Sequence, residues 1–264
     1  VEVVKIHGGA EAEARTYEWI TVFVQNGAVK AWTHNKELRD GIYEDLIEAA
    51  NKAYELDAKS GAKLKPILAN AQNHFVERGN VNYEAAIYSK AAESYNRAYE
   101  IAAHPAYNAA DANFLFNAGQ LYVFAGVNDA KYFADAEECL RKAVAAGYTG
   151  DNGDVYYYLY HACFGQTTGK EGDERTAILA KAKAALTEGV EKFPTNQDII
   201  SALLNLYMAE PSVGNPAELV DMINAAIERN PDSVDMWTCL ALANYQMKNF
   251  DEAIAAGAKA VALA

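Results

Sequence analysis

Trp237-Thr-Cys-Leu-Ala241, followed by Asn249-Phe-Asp-Glu-Ala253-Ile254 and then by Ala260, reads as two short helices joined by a turn. Ala253 and Ala260 are seven residues apart, two helical turns, and therefore share a helix face. Close approach of two helices needs small side chains at such positions. Counting back from Ala260, small residues stand at Ala226, Gly189, Ala143, Ala98 and Ala53, in steps of 34, 37, 46, 45 and 45. Seven residues before each stands Ala253, Leu219, Ala182, Ala136, Ala91 or Leu46. Self-similarity on this scale marks a stacked-repeat architecture, in which each unit buries its apolar face only against its neighbours.

Upstream of each of the last five pairs lies another short helix, one of which reads Leu115-Phe-Asn-Ala118-Gly119-Gln-Leu-Tyr122. The pattern resembles the tetratricopeptide repeat: a bulky residue, Leu, a small residue and an aromatic on the first helix, then Ala, an aromatic, Ala and a closing Pro on the second. Pro194 and Pro231 occupy the closing position, whereas Ala58, Ala103 and Tyr148 stand there in earlier units. In the last unit Asn244 and Gly257 replace the two aromatics. The resemblance implies a mainly α protein, a right-handed α-solenoid over residues 36–264. It comprises a packing helix at 36–57 and helix pairs at about 65–103, 109–147, 154–193, 197–230 and 234–264. Length beyond the family's period of about 34 residues is expected between the helices of a pair. In the first full unit residues 82–102 lack Gly and Pro, which predicts a longer second helix. A Gly-rich loop is expected at 164–175, and Asn215, Pro216 and Glu218 read as N-cap, first-turn proline and capping glutamate.

The first 35 residues differ. Tyr17-Glu-Trp-Ile-Thr-Val-Phe-Val-Gln25 alternates in β-branched and aromatic residues, Asn26-Gly27 suits a two-residue turn, and Ala28-Val-Lys-Ala-Trp-Thr33 returns. This predicts a small N-terminal β-hairpin, with residues 1–6 as a third strand. One hairpin face would carry Trp19, Phe23 and Trp32, an alternative site able to grip a sugar or a proline-rich peptide. Docking against the helix at 40–57 is the expectation preferred here, because large exposed apolar patches are uncommon.

At 51% hydrophobic and 22% charged residues, the 264-residue chain can bury a sizeable core. A net charge of −13 opposes binding to nucleic acid, where Lys and Arg must neutralise phosphates. No apolar run reaches the roughly 20 residues of a transmembrane segment. Cys139, Cys163 and Cys239 have no paired spacing, so no metal site or disulfide framework is predicted and buried free thiols are expected. Cys139 and Cys163 lie on neighbouring predicted helices and could pair in an oxidising compartment. The chain begins at Val1 rather than Met, which predicts a processed or truncated product, and nothing polar caps Ala260-Val-Ala-Leu-Ala264, which predicts further repeats beyond it.

Asp154-Val-Tyr-Tyr-Tyr-Leu-Tyr-His-Ala-Cys-Phe-Gly-Gln166 has the residue types of a reactive site. His161 and Cys163 are only two apart on a helix, however, and point to different faces. In repeat register Tyr156, Leu159, Tyr160 and Cys163 are packing positions, and Tyr157, His161 and Phe164 line the groove. Gly165-Gln-Thr-Thr-Gly169-Lys170-Glu171 lacks the spacing and the Ser or Thr of a phosphate loop, and Asp151-Asn-Gly-Asp154 lacks the ligands of a calcium loop. No cofactor, metal site or catalytic residue is predicted.

Carried onto this sequence, the family's groove positions are Asn73, Asn113, Phe116, Asn117, Gln120, Tyr157, His161, Ser201, Asn205, Thr238 and Tyr245. Amides and aromatics dominate, and Lys and Arg are absent, so the carboxylate clamp of some family members does not carry over. Amides donate and accept, which suits the backbone of an extended peptide; a solvated helix face is the competing reading. The expectation is a non-catalytic protein-interaction scaffold with a protein or peptide partner. The alternative is a glycan-binding or envelope-assembly module acting through the hairpin. The combination of a β-hairpin followed by long, irregular repeats also resembles exported tetratricopeptide proteins of Gram-negative bacteria, which implies an envelope (periplasmic) location.

Overall fold

The computed structural model describes residues 9–35, 41–148, 150 and 152–264. Among them are twelve α-helices, one short 3-10 turn and no strand. The chain divides into two compact units, Val1–Leu121 and Tyr122–Ala264.

The first unit contains α1 (Gly9–Asn35), α2 (Ile42–Leu56), a 3-10 turn at Ala58–Ser60, α3 (Gly61–Glu84), α4 (Tyr88–Ala103) and the start of α5 (Ala112–Gly126). Residues 17–33 are therefore helical and not a hairpin, and Asn26-Gly27 lies inside α1. The reason is visible in what α1 buries. Ala14, Glu18, Thr21 and Gln25 are buried, at steps of four, three and four, the period of a helix. This stripe is small and polar, so a search for apolar periodicity misses it. The β-branched Thr21 is accommodated by donating its Oγ1 hydrogen to the Tyr17 carbonyl at 2.8 Å, and Glu18 accepts from Lys63 Nζ at 2.9 Å. Trp19 and Phe23, which suggested one face of a sheet, instead sit four apart on an exposed helix face, 64% and 70% exposed. The third strand expected at 1–6 lies outside the described residues. α2, expected as a lone packing helix, has α1 as its partner, and α1 also touches α3.

Leu46, Ala53, Leu64, Leu68, Phe75, Ala98 and Ile101 form the first unit's core, with Tyr17 and Val24 of α1 packed against it. The extra length of the first full pair lies in its first helix, not its second: α3 has 24 residues and α4 has 16. α3 stops at a Schellman-type closure, in which Ile87 N–H donates to the Asn82 carbonyl at 2.8 Å around Ala86 at φ 56°. Glycine is the usual residue at such a left-handed position, so an alanine gives no stop signal.

The second unit holds α6 (Tyr132–Ala145), α7 (Asp154–Gly165), α8 (Gly172–Lys192), α9 (Gln197–Ala209), α10 (Pro216–Arg229), α11 (Val234–Gln246) and α12 (Phe250–Leu263). Each helix packs on the next, and α7 also touches α9 as α9 touches α11. The first helices α7, α9 and α11 thus lie side by side in one layer. The Gly-rich loop is shorter than expected, because Arg175 already belongs to α8. Before α10, Ala217 N–H donates to Asn215 Oδ1 at 3.0 Å and Asn215 N–H donates to Glu218 Oε1 at 3.2 Å, the expected capping box.

Candidate functional site

The two seven-apart positions meet neighbouring helices almost throughout. Leu46, Ala53, Ala91, Ala98, Ala136, Ala143, Ala182, Gly189, Leu219, Ala226 and Ala260 are all buried; Ala253 alone of the set is partly exposed. At Gly189 a Cβ atom would stand 2.9 Å from Tyr156 Cβ and 3.0 Å from Ile199 Cγ2, so only glycine lets α7, α8 and α9 approach this closely. Buried small residues at the helix crossings and, in the second unit, a layer formed by α7, α9 and α11 define the register. The helix pairs follow the register that the seven-apart residues predict.

In the second unit that layer presents Tyr157 and His161 on α7, Ser201 and Asn205 on α9, and Thr238 and Tyr245 on α11. Tyr157, His161 and Ser201 are half-buried and Asn205, Thr238 and Tyr245 exposed. The Tyr157 and His161 rings meet edge-on, with centroids 4.5 Å apart. Burial pushes the His161 pKa down and the Tyr157 pKa up, with Asp198 adding to the latter, so both rings are neutral near pH 7. Thr238 and Tyr245 also line an apolar hollow of about 630 Å³ with Leu242, Phe250 and Ile254.

The other face of α7 is core. Tyr156 and Cys163 are fully buried, and the Tyr156 hydroxyl donates to Glu188 Oε1 at 3.1 Å and accepts from Lys192 Nζ at 2.8 Å. Burial drives the Cys163 thiol up to about 12, the opposite of an activated nucleophile. Its contact is Arg141, whose Nη2 lies 3.9 Å from Sγ. All three cysteines are buried thiols, with no disulfide among them.

In the first unit the predicted positions divide. Asn73 is exposed on α3. Asn113 is occupied locally, its Nδ2 donating to Asp111 Oδ1 at 2.7 Å in the first turn of α5. Phe116 is a packing residue, only 7% exposed, and not the open apolar surface expected of a groove residue. Asn117 and Gln120 come together with Tyr83, Tyr95 and Leu121 around a mainly polar cleft of about 200 Å³. Tyr95 lies flat over Gly79, where a Cβ would sit 2.6 Å from its Cε1, and its hydroxyl donates to Asn80 Oδ1 at 2.7 Å. Tyr83 and Tyr95 escaped the sequence reading because neither lies on the presumed groove face of a first helix of standard length. The available signal was Gly79, a lone glycine inside a helical stretch, which marks close approach by another group.

On α1 the rings of Trp19 and Phe23 lie 6.4 Å apart, whereas the side chain of Trp32 is outside the described residues. Among the described residues no group of three or more His, Cys, Asp and Glu side chains is placed to hold a metal ion, and no helix is long and apolar enough to cross a membrane.

No protein-family model matches the sequence, and no curated protein matches it significantly. Similar solved structures include MamA, at 18% identity over 74% of this chain and 92% of that chain, with a TM-score of 0.43. A second MamA structure has 20% identity over 73% of this chain and 91% of that chain, with a TM-score of 0.38. YrrB, a TPR protein with an unusual peptide-binding site, has 17% identity over 81% of this chain and 91% of that chain, with a TM-score of 0.38. At such scores the likenesses say nothing about which residues bind a partner.

Proposed function

We propose that the chain is a non-catalytic protein-interaction scaffold whose first-helix faces hold an extended, uncharged peptide segment of a partner protein. The observation that carries this reading is the cleft at Asn117 and Gln120. Neither amide has a hydrogen-bond partner among the described residues, and no charged side chain lines the cleft with them. Such groups suit a peptide backbone, which offers a donor and an acceptor at each residue. The first-helix face of the second unit, taken by itself, offers an exposed amide, Asn205 on α9, and apolar surface from Tyr157 and Tyr245. A non-catalytic role is supported by the burial of the Cys163 thiol, which disfavours the reactive thiolate. Neutral contacts depend little on ionic strength, whereas charge-pair binding is screened by salt.

Selection from a displayed library of random peptides tests this directly. The expected result is a set of neutral binders whose affinity changes little with salt and falls by about 1–3 kcal/mol on N117A plus N205A. Binding that survives that double variant but vanishes on W19A plus F23A would move the site to α1. The same reading includes a bacterial envelope location, which fractionation of source cells tests: recovery with cytoplasmic markers would remove it.

A further inference from the structure

We infer that the cleft between Tyr83, Tyr95, Asn117 and Gln120 is a specificity pocket for one side-chain carboxamide, that of a glutamine in the bound peptide. The inference rests on the peptide-binding reading and goes beyond it by naming what the peptide must carry. The cleft is too small for a stretch of chain: about 200 Å³ accommodates one side chain of moderate length. Its polar groups are all neutral. The Asn117 and Gln120 amides each bring an acceptor oxygen and a donor NH2, and Tyr83 brings a hydroxyl, 53% exposed as a residue and without a hydrogen-bond partner among the described residues. Leu121 is the one apolar lining residue.

Each alternative occupant leaves something unmatched. A carboxylate is acceptor-only and would face amide oxygens with no lining cation to balance its charge. An ammonium or guanidinium would find acceptors but no anion. An aliphatic side chain would strip water from two amides and return no hydrogen bonds, which is costly. A carboxamide both donates and accepts, so it can pair with either orientation of Asn117 and Gln120, and the two methylenes of glutamine can rest on Leu121. Asparagine, one methylene shorter, would reach less deeply.

The fixed side of the cleft explains how such a choice can be made. Tyr95 is held on three sides: by Gly79 beneath its ring, by Asn80 Oδ1 on its hydroxyl, and by the Phe114 ring, with centroids 6.3 Å apart. A wall held in this way does not move aside to admit a larger group, which is the condition for discrimination rather than mere binding.

The test is a positional-scanning library of octapeptides, each pool having one fixed residue, bound to the whole chain and to its variants. Glutamine is expected to be preferred at one position over glutamate and leucine by about fivefold or more, the scale of one or two neutral hydrogen bonds. N117L and Q120L should each erase that preference while leaving preferences at other positions. G79A, which displaces the Tyr95 ring, should do the same. Should G79A fail to fold, Y95F retains the ring while releasing it from Asn80, and is expected to weaken the preference in part. Binding with no glutamine preference at any position, or a preference that survives both leucine variants, overturns the pocket but leaves the peptide-binding reading standing. No binding from any pool removes both.

Discussion

Glu137 on α6 offers the sharpest test of how the second unit is held together. Its carboxylate is only 10% exposed and accepts hydrogen bonds from Gln166 Nε2 at 2.7 Å, Arg141 Nε at 2.8 Å and Lys181 Nζ at 3.2 Å. These donors come from α6 itself, from the residue after α7 and from α8, so one side chain ties three helices. Burial pushes the Glu137 pKa up, but the bonds from Gln166, Arg141 and Lys181 together outweigh it and hold the group below the usual glutamate range. Removing the carboxylate in E137A therefore loses three charge-assisted bonds. Against this, Arg141 and Lys181 are about half exposed and can return to water, and Gln166 Nε2 keeps the Ala162 carbonyl at 3.1 Å. The cost is then well below that of breaking a fully buried ion pair, about 2 kcal/mol. Urea unfolding followed by circular dichroism at pH 7 measures it. The folded pKa is depressed, so the contribution is fully present above the unfolded glutamate value of about 4.3 and disappears as pH falls through the folded value. The gap between wild type and E137A should accordingly narrow at pH 3. Equal stabilities at pH 7, or a gap that is the same at both pH values, would refute the argument.

Ala98 and Ala143 are fully buried at helix crossings, so A98L and A143L should each lose about 1–3 kcal/mol by overpacking, read as a lowered Tm. Wild-type melting in both would remove the repeat register. Cys139, Cys163 and Cys239 should react slowly with a thiol reagent in the native state and fast in urea, and intact mass under non-reducing conditions should show no pair; a loss of two hydrogens would show that one forms. For any peptide selected as above, raising salt from 50 to 300 mM is expected to change Kd by less than about twofold, measured by fluorescence anisotropy, because no charged pair is involved.

Legibility in the sequence depended on whether a feature is local in the chain. The seven-apart small pairs and the capping box before α10 each lie within a single helix, and α7 could be divided into core and open faces from its own period. The Glu137 cluster could not be read, because its partners lie 29 and 44 residues away and nothing in the sequence around them marks the meeting. Tyr95 over Gly79 was hidden for the same reason. The α1 error has another cause: its buried stripe of Ala14, Glu18, Thr21 and Gln25 carries a helical period in polar residues, while the conspicuous aromatics belong to its exposed side. Alanine at the left-handed end of α3 concealed the boundary that glycine would have announced.

The composition of that α1 stripe has a dynamic consequence. Among the described residues, α1 is attached through a small residue, three polar ones and the flanking Tyr17 and Val24, which gain little from leaving water, and both polar atoms of Gln25 are buried without a hydrogen-bond partner. Opening α1 therefore costs much less than unfolding α3 and α4, whose contact includes Phe75, Ala98 and Ile101. In native-state hydrogen exchange the α1 amides should open as a separate, early unit. Each opening would uncover the face of α2 that packs on α1, turning a closed helix pair into a transient sticky edge.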